Sequence, residues 1–153
     1  MIRILVDADG CPVKEEVYRV ARRHGLEVIL AANTRMRVPD GDVRMVVVEG
    51  DFDAADDWIV SQAAPEDIVV TADIPLASRA LEKGARVVGP KGRIFTADSI
   101  GDAMATRALM SHLRDMGNIT GGPAPFCPKD RSRFLQSLEE VIQAARRAAS
   151  RKP

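Results

Sequence analysis

MIRILVDADG, residues 1–10, is the stretch that decides how the chain folds. Ile2, Ile4, Leu5 and Val6 form a short aliphatic and β-branched run, the pattern of a strand buried on both faces of a parallel sheet. The run stops at Asp7 and Asp9, with Gly10 and Pro12 close behind. In an open α/β sheet the ligand crevice lies at the carboxyl ends of the strands. Two acids there gather negative charge where folding alone does not call for it. Asp9 taken singly has a second reading, as the cap of the helix that follows. The pair points to a metal site, because later segments send more acids to the same edge.

Working outward, residues 12–25 read as a helix: Pro12 suits a first turn, Val13, Val17, Val20 and Ala21 form one apolar stripe, and Gly25 ends it. Strands follow at 26–31 (LEVILA), 43–48 (VRMVVV), 67–71 (DIVVT) and 85–89 (ARVVG). Between them lie a polar loop at 33–42, a helix at 53–64 and a helix at 74–83 closed by Gly84. KGRIF, residues 91–95, reads as part of a short hairpin. Residues 98–116 form a long helix, 117–128 a glycine- and proline-rich loop that excludes helix, and 129–149 a last amphipathic helix. Strands alternating with helices imply right-handed crossovers and a three-layer α/β domain, with a mostly parallel central sheet flanked by helices. No repeat or second domain is visible. Residues 1–149 form one domain and 150–153 a disordered tail.

The chain has 153 residues, a natural size for one core. Its 22 basic and 22 acidic side chains cancel, so binding to nucleic acid has to come from a local patch rather than from the whole surface. Aromatics make up only 4%, too few for a binder built on stacked bases. Cys11 and Cys127 match no zinc spacing, and Cys11 reads as a buried small thiol rather than a nucleophile. The opening apolar run is short and broken by Arg3 and Asp7, unlike a signal peptide, and no stretch reaches the length of a membrane span. The expectation is a cytoplasmic protein without membrane contact. Its oligomeric state is not legible.

Three acidic groups stand out: Asp7 and Asp9 after the first strand, Asp53, Asp56 and Asp57 around the start of a helix, and Asp73 just past the fourth strand. Parallel strands end on one edge, so Asp7 and Asp73 face one crevice. On a helical wheel the buried stripe is Phe52, Ala55, Ile59 and Ala63, and Asp56 lies roughly 40° from Phe52 on the inward side. A carboxylate there needs a cation, a donor network or a proton. Asp53 is explained more simply by the helix dipole. Carboxylates with almost no histidine are hard oxygen ligands, suited to Mg²⁺ or Mn²⁺ bridging to phosphate. The two histidines, His24 and His112, sit late in helices and complement their dipoles. Substrate contacts fall on Lys14, on Asn33, Arg35 and Arg37 after the second strand, on the backbone of Thr120, Gly121 and Gly122, and on Arg131. Singly each reads as a surface residue; together they make a patch.

At these residues the chain resembles the YaiI/YqxD-like bacterial proteins, the DUF188 or UPF0178 family, which are related to PIN-domain-like nucleases. The matching stretches are VDADGCPVK (6–14), RVP (37–39), DAAD (53–56), TADIPLA (71–77), TGGP (120–123) and the pair Asp130–Arg131. The resemblance implies a PIN-like fold and an acidic site of Asp7, Asp9, Asp53, Asp56 and Asp73 that hydrolyses phosphodiester bonds of RNA with Mg²⁺ or Mn²⁺. It departs from the nuclease pattern in carrying Asp rather than Glu on the helix. Two other readings stay open. VDADG also fits the first motif of haloacid-dehalogenase-type phosphatases, with Asp7 as nucleophile and Asp9 as general acid. A non-catalytic RNA-binding or adaptor domain would use the arginines without a metal.

Overall fold

In a computed structural model that describes residues 2–51, 53–117 and 124–151, the opening run is strand β1 (Arg3–Asp7), and Ile4, Leu5 and Val6 have no exposed surface. The chain continues through α1 (Lys14–His24), β2 (Glu27–Ala32), β3 (Val43–Val47), α2 (Ala54–Gln62), β4 (Ile68–Val70), α3 (Ile74–Glu82), β5 (Arg86–Val88), β6 (Ile94–Phe95), α4 (Ile100–Asp115) and α5 (Pro128–Ser150). One sheet takes all six strands in the order β3-β2-β1-β4-β5-β6. Every pairing is parallel except β5 with β6, which is antiparallel. The single mostly parallel α/β domain expected from the strand and helix rhythm is what the chain forms.

The period of two along β1 sorts the two cores. Ile4 and Val6 join the apolar cluster under α1 and α5, with Val17, Val20, Phe134, Leu138 and Ile142. Leu5 points the other way, into a cluster with Ile59 of α2 and Leu76, Ala77 and Ala80 of α3. Both faces of the sheet are therefore covered, which is why its strands read as continuous apolar runs rather than as alternating ones. Helix α4 packs on α3, and Ala103 is its one buried residue.

Element ends shift for local reasons. Helix α2 stops at Gln62, two residues short of the sequence reading, because Pro65 disfavours helical backbone at Ala64. Helix α5 starts at Pro128, which the loop reading had excluded; proline is tolerated in the first turn, where its missing N–H has no partner to lose. It also runs through Ser150, the first residue assigned to the tail. The KGRIF hairpin forms: Gly89 N–H donates to the Arg93 carbonyl at 2.7 Å, and Gly92, at φ +93°, turns so close to α5 that a Cβ there would lie 2.7 Å from Arg133. Among the described residues no helix is long and apolar enough to cross a membrane.

Phe134 is the largest fully buried side chain, so Phe134→Ala should lower unfolding free energy by about 3–5 kcal/mol in urea denaturation. Leu109→Ala, at a residue 55% exposed on α4, should change it by no more than about 0.5 kcal/mol.

Candidate functional site

The strand order reverses at β1: the chain builds β1, β2 and β3 outward to one side, then returns through α2 to place β4 on the other side. Such a reversal opens a crevice at the carboxyl ends of the two central strands. Side-chain alternation then dictates what lines it. Asp7 is two residues beyond Leu5 and shares its face; Thr71 is two beyond Val69, the registered partner of Leu5. The buried Thr71 hydroxyl donates to Asp7 Oδ2 at 2.8 Å and accepts the Asp73 N–H at 3.0 Å. Asp73 in turn caps α3, its Oδ1 accepting the Leu76 N–H at 3.0 Å. One hydroxyl thus ties together the two acids that end β1 and begin α3.

Asp9 does not cap α1; Val13 holds that position and no side chain bonds the helix end. The Asp9 carboxylate reaches sideways instead, where Oδ2 accepts the backbone N–H of Asn33 at 2.9 Å, joining the loops after β1 and β2. Asp56 comes from α2, beside Ala55 (3% exposed), on the flank of the Ala55–Ile59–Ala63 stripe. Phe52, which anchors the sequence wheel, lies outside the described residues. Asp7, Asp9, Asn33, Asp56 and Asp73, with Ala55 and Ala72, line one open cavity of about 530 Å³.

The electrostatics reflect the crowding. Burial raises the Asp7 carboxyl above its ordinary range, and the charges of Asp73 and Asp9 push the same way against the Thr71 hydrogen bond. The Asp56 carboxyl is pushed up to about 7, first by burial, then by Asp7, Asp73 and Asp53, and by a hydrogen bond it makes with Asp73. Hard oxygen donors of this kind suit Mg²⁺ or Mn²⁺ chemically. Yet among the described residues no three histidine, cysteine, aspartate or glutamate side chains are arranged to hold one metal ion as they stand.

The other candidates scatter. Asp53 is exposed at the N-cap position of α2 and is not part of the cavity lining, although its charge is felt by Asp56. Arg35 and Arg37 are exposed on the loop that begins at Asn33. Lys14 Nζ donates to the Cys11 carbonyl at 3.0 Å. Arg131 stacks over Phe126, 5.7 Å from its centroid, and its Nε meets Glu16 Oε1 at 3.2 Å. Thr120, Gly121 and Gly122 lie outside the described residues. Cys11 is buried, and burial raises its thiol pKa, which keeps it protonated. His24 bonds Glu139 across the α1–α5 seam.

Two participants were not anticipated. Thr71 follows the strand parity that Val69 sets, so the signal was present in DIVVT. Glu16 is 6% exposed, with an oxygen unpartnered among the described residues. It sits three residues after Val13 and four before Val20, squarely on the buried stripe. A larger cavity of about 760 Å³ lies at the opposite edge of the sheet, but its Glu66 and Arg86 neutralise each other at 2.7 Å.

Known proteins match nearly the whole length of this chain. A family model described as "Uncharacterized BCR, YaiI/YqxD family" matches residues 5–144, a span that holds every acid of the cavity. UPF0178 proteins of Brucella ovis, Brucella canis and Brucella suis biovar 1 are each 58% identical over 149 residues, covering 96% of this chain and 92% of theirs. A sheet whose central strands end in aspartates held by a shared threonine is thus the fold, in this instance, of a chain that belongs to the YaiI/YqxD (DUF188, UPF0178) family.

Proposed function

We propose that the acidic cavity hydrolyses phosphodiester bonds of RNA, assisted by Mg²⁺ or Mn²⁺, in the manner of the PIN-like nucleases that the sequence resembles. The observation that carries the reading is the convergence of four carboxylates from three elements on one open cavity, two of them with raised pKa values. Folding gains nothing from that crowding; a reaction on a phosphate does. A divalent cation bound there would neutralise charge on the phosphate and make an attacking water more acidic. Asp7 and Asp73 are the direct ligands in this reading, with Asp9 and Asp56 completing the shell or orienting the water. Asp56, poised near neutrality, is the group suited to accept a proton. Holding a cation requires the carboxylates to turn further inward and Asp56 to give up its proton. Arg35 and Arg37, exposed on the loop that Asn33 tethers to Asp9, would meet the phosphate backbone in this reading.

Incubating the purified protein with single-stranded RNA should give cleavage with Mn²⁺ or Mg²⁺ and none with chelator. Asp7→Asn should reduce the rate by about 100-fold or more while leaving the circular dichroism spectrum unchanged. Turnover of small phosphoesters with a phosphate trapped on Asp7 would favour the phosphatase chemistry instead, and RNA retained without cleavage would favour a binding domain.

The raised Asp56 pKa makes stability fall with pH. Between the ordinary carboxyl value of 3.8 and about 7 the unfolded chain has released this proton and the folded chain has not, so unfolding becomes progressively easier across that window and levels off above it. Asp7 adds a slope of the same sign. Urea midpoints measured from pH 4 to 8 in chelator should decline, and Asp56→Asn should flatten the decline. Saturating Mg²⁺ should move the Asp56 midpoint downward in an NMR titration.

A further inference from the structure

Strand β3 is one outer edge of the sheet and bonds only to β2. Val28 N–H donates to the Asp42 carbonyl at 2.8 Å, and Val48 N–H donates to the Ala32 carbonyl at 2.9 Å. The even-numbered residues of β3 therefore turn their backbone groups toward β2. The N–H and C=O groups of Val43, Met45 and Val47 point outward, and none has a partner among the described residues. Neither proline nor bulge interrupts the strand, two of the devices that blunt such an edge, and Arg44 is its one charged residue. Val43, Met45, Val46 and Val47 are all partly exposed. The charges sit at the ends: Asp40 and Asp42 before the strand, Glu49 and Asp51 after it, all exposed, with Arg44 as the one cation between them.

We propose that this edge binds an extended segment of another protein as a seventh strand, one with apolar residues at alternate central positions and lysine or arginine at both ends. Three outward donors and three outward acceptors fix the backbone of the added strand, and the partly exposed valines accept its apolar side chains. Charge selects the occupant. A second copy of this chain, paired antiparallel about Met45, would set Asp40 and Asp42 of one copy beside Glu49 and Asp51 of the other, gathering four acids at each end. A strand with basic ends turns the same acids into attraction. In the sheet β2 lies between this edge and β1, and the proposal does not rest on the hydrolysis proposed above.

Two fluorescein-labelled peptides, KRVTVTVRK and EEVTVTVEE, distinguish the outcomes by anisotropy at low salt. The basic peptide should bind and the acidic one should not. Val47→Pro removes one outward N–H without touching the inward ladder, and Val47 belongs to neither core cluster, so the fold should persist while affinity drops about tenfold or more. Val43→Pro, at the first residue of the strand, serves the same purpose should Val47→Pro unfold by circular dichroism. Changing Asp42 and Glu49 together to lysine should transfer the preference to the acidic peptide. Equal binding of the two peptides, or basic-peptide binding untouched by the proline variant, overturns the proposal; the latter would put the peptide in the acidic cavity. So would a dimer, seen by sedimentation, that Val47→Pro dissolves.

Discussion

A buried strand has no freedom in where its side chains point, and Ile4, Leu5 and Val6 of β1 have no exposed surface. Leu5 must face the α2–α3 core, so Asp7, two residues on, must face the same layer where the strand emerges. The neighbouring strand is registered Val69 to Leu5 and repeats the rule with Thr71. Packing of Leu5 and Val69 thus carries a carboxylate and a hydroxyl to within hydrogen-bond distance, 2.8 Å apart. Sliding β1 by one residue against β4 would bury Asp7 beneath the other face and expose the core run. The site is therefore held in place by the hydrophobic core beneath it.

What that constraint costs can be read in the carboxyls themselves. Asp7 and Asp56 are both harder to ionise than free side chains, because neighbouring acids and partial burial act in the same direction. Some of the penalty is offset locally: Thr71 donates to Asp7, the first turn of α3 donates to Asp73, and the Asn33 backbone donates to Asp9. Asp56 has no such donor among the described residues, and its carboxyl is pushed up to about 7. The core supplies the remainder, with Ile4, Leu5, Val6, Ile29, Leu30 and Phe134 all fully buried.

Much of this was legible in the sequence, and the limits have physical causes. Strand ends are read reliably when an apolar run stops at acids, so Asp7, Asp9 and Asp73 were placed on one edge from spacing alone. Asp56 was found because a helical wheel needs only a stripe, and Ala55, Ile59 and Ala63 supply one. Asp53 entered the acidic set through the family resemblance, although the helix dipole alone accounts for it; at the N-cap position of α2 it is exposed and is not part of the cavity lining. Thr71 was passed over because threonine in a strand is unremarkable until its partner strand is known. Asp9 was ambiguous because a cap and a crevice ligand look alike in sequence; only the parallel pairing of β1 with β2 brings Asn33 within reach of it.

Basic side chains were the least legible, and charge balance explains why. In a chain with 22 cations and 22 anions several arginines sit beside an anion, so sequence cannot tell a substrate contact from a structural pair. Arg3 bonds the buried Asp67, Arg86 bonds Glu66, Arg79 bonds Asp57, and Arg131 is drawn to Glu16. Arg131 is the instructive case. Its ion pair with a buried carboxylate holds the guanidinium against α1 and over Phe126, outside the lining of the acidic cavity. Any role on a phosphate then has to use the parts of the guanidinium that Glu16 leaves free, in the one orientation that the pair permits. Arg35 and Arg37 have no ion pair among the described residues; their loop is held where Asn33 meets Asp9 and where Met36 and Val38 pack against the core. The same carboxylate that lines the cavity thereby anchors the start of the segment bearing both arginines through a backbone hydrogen bond.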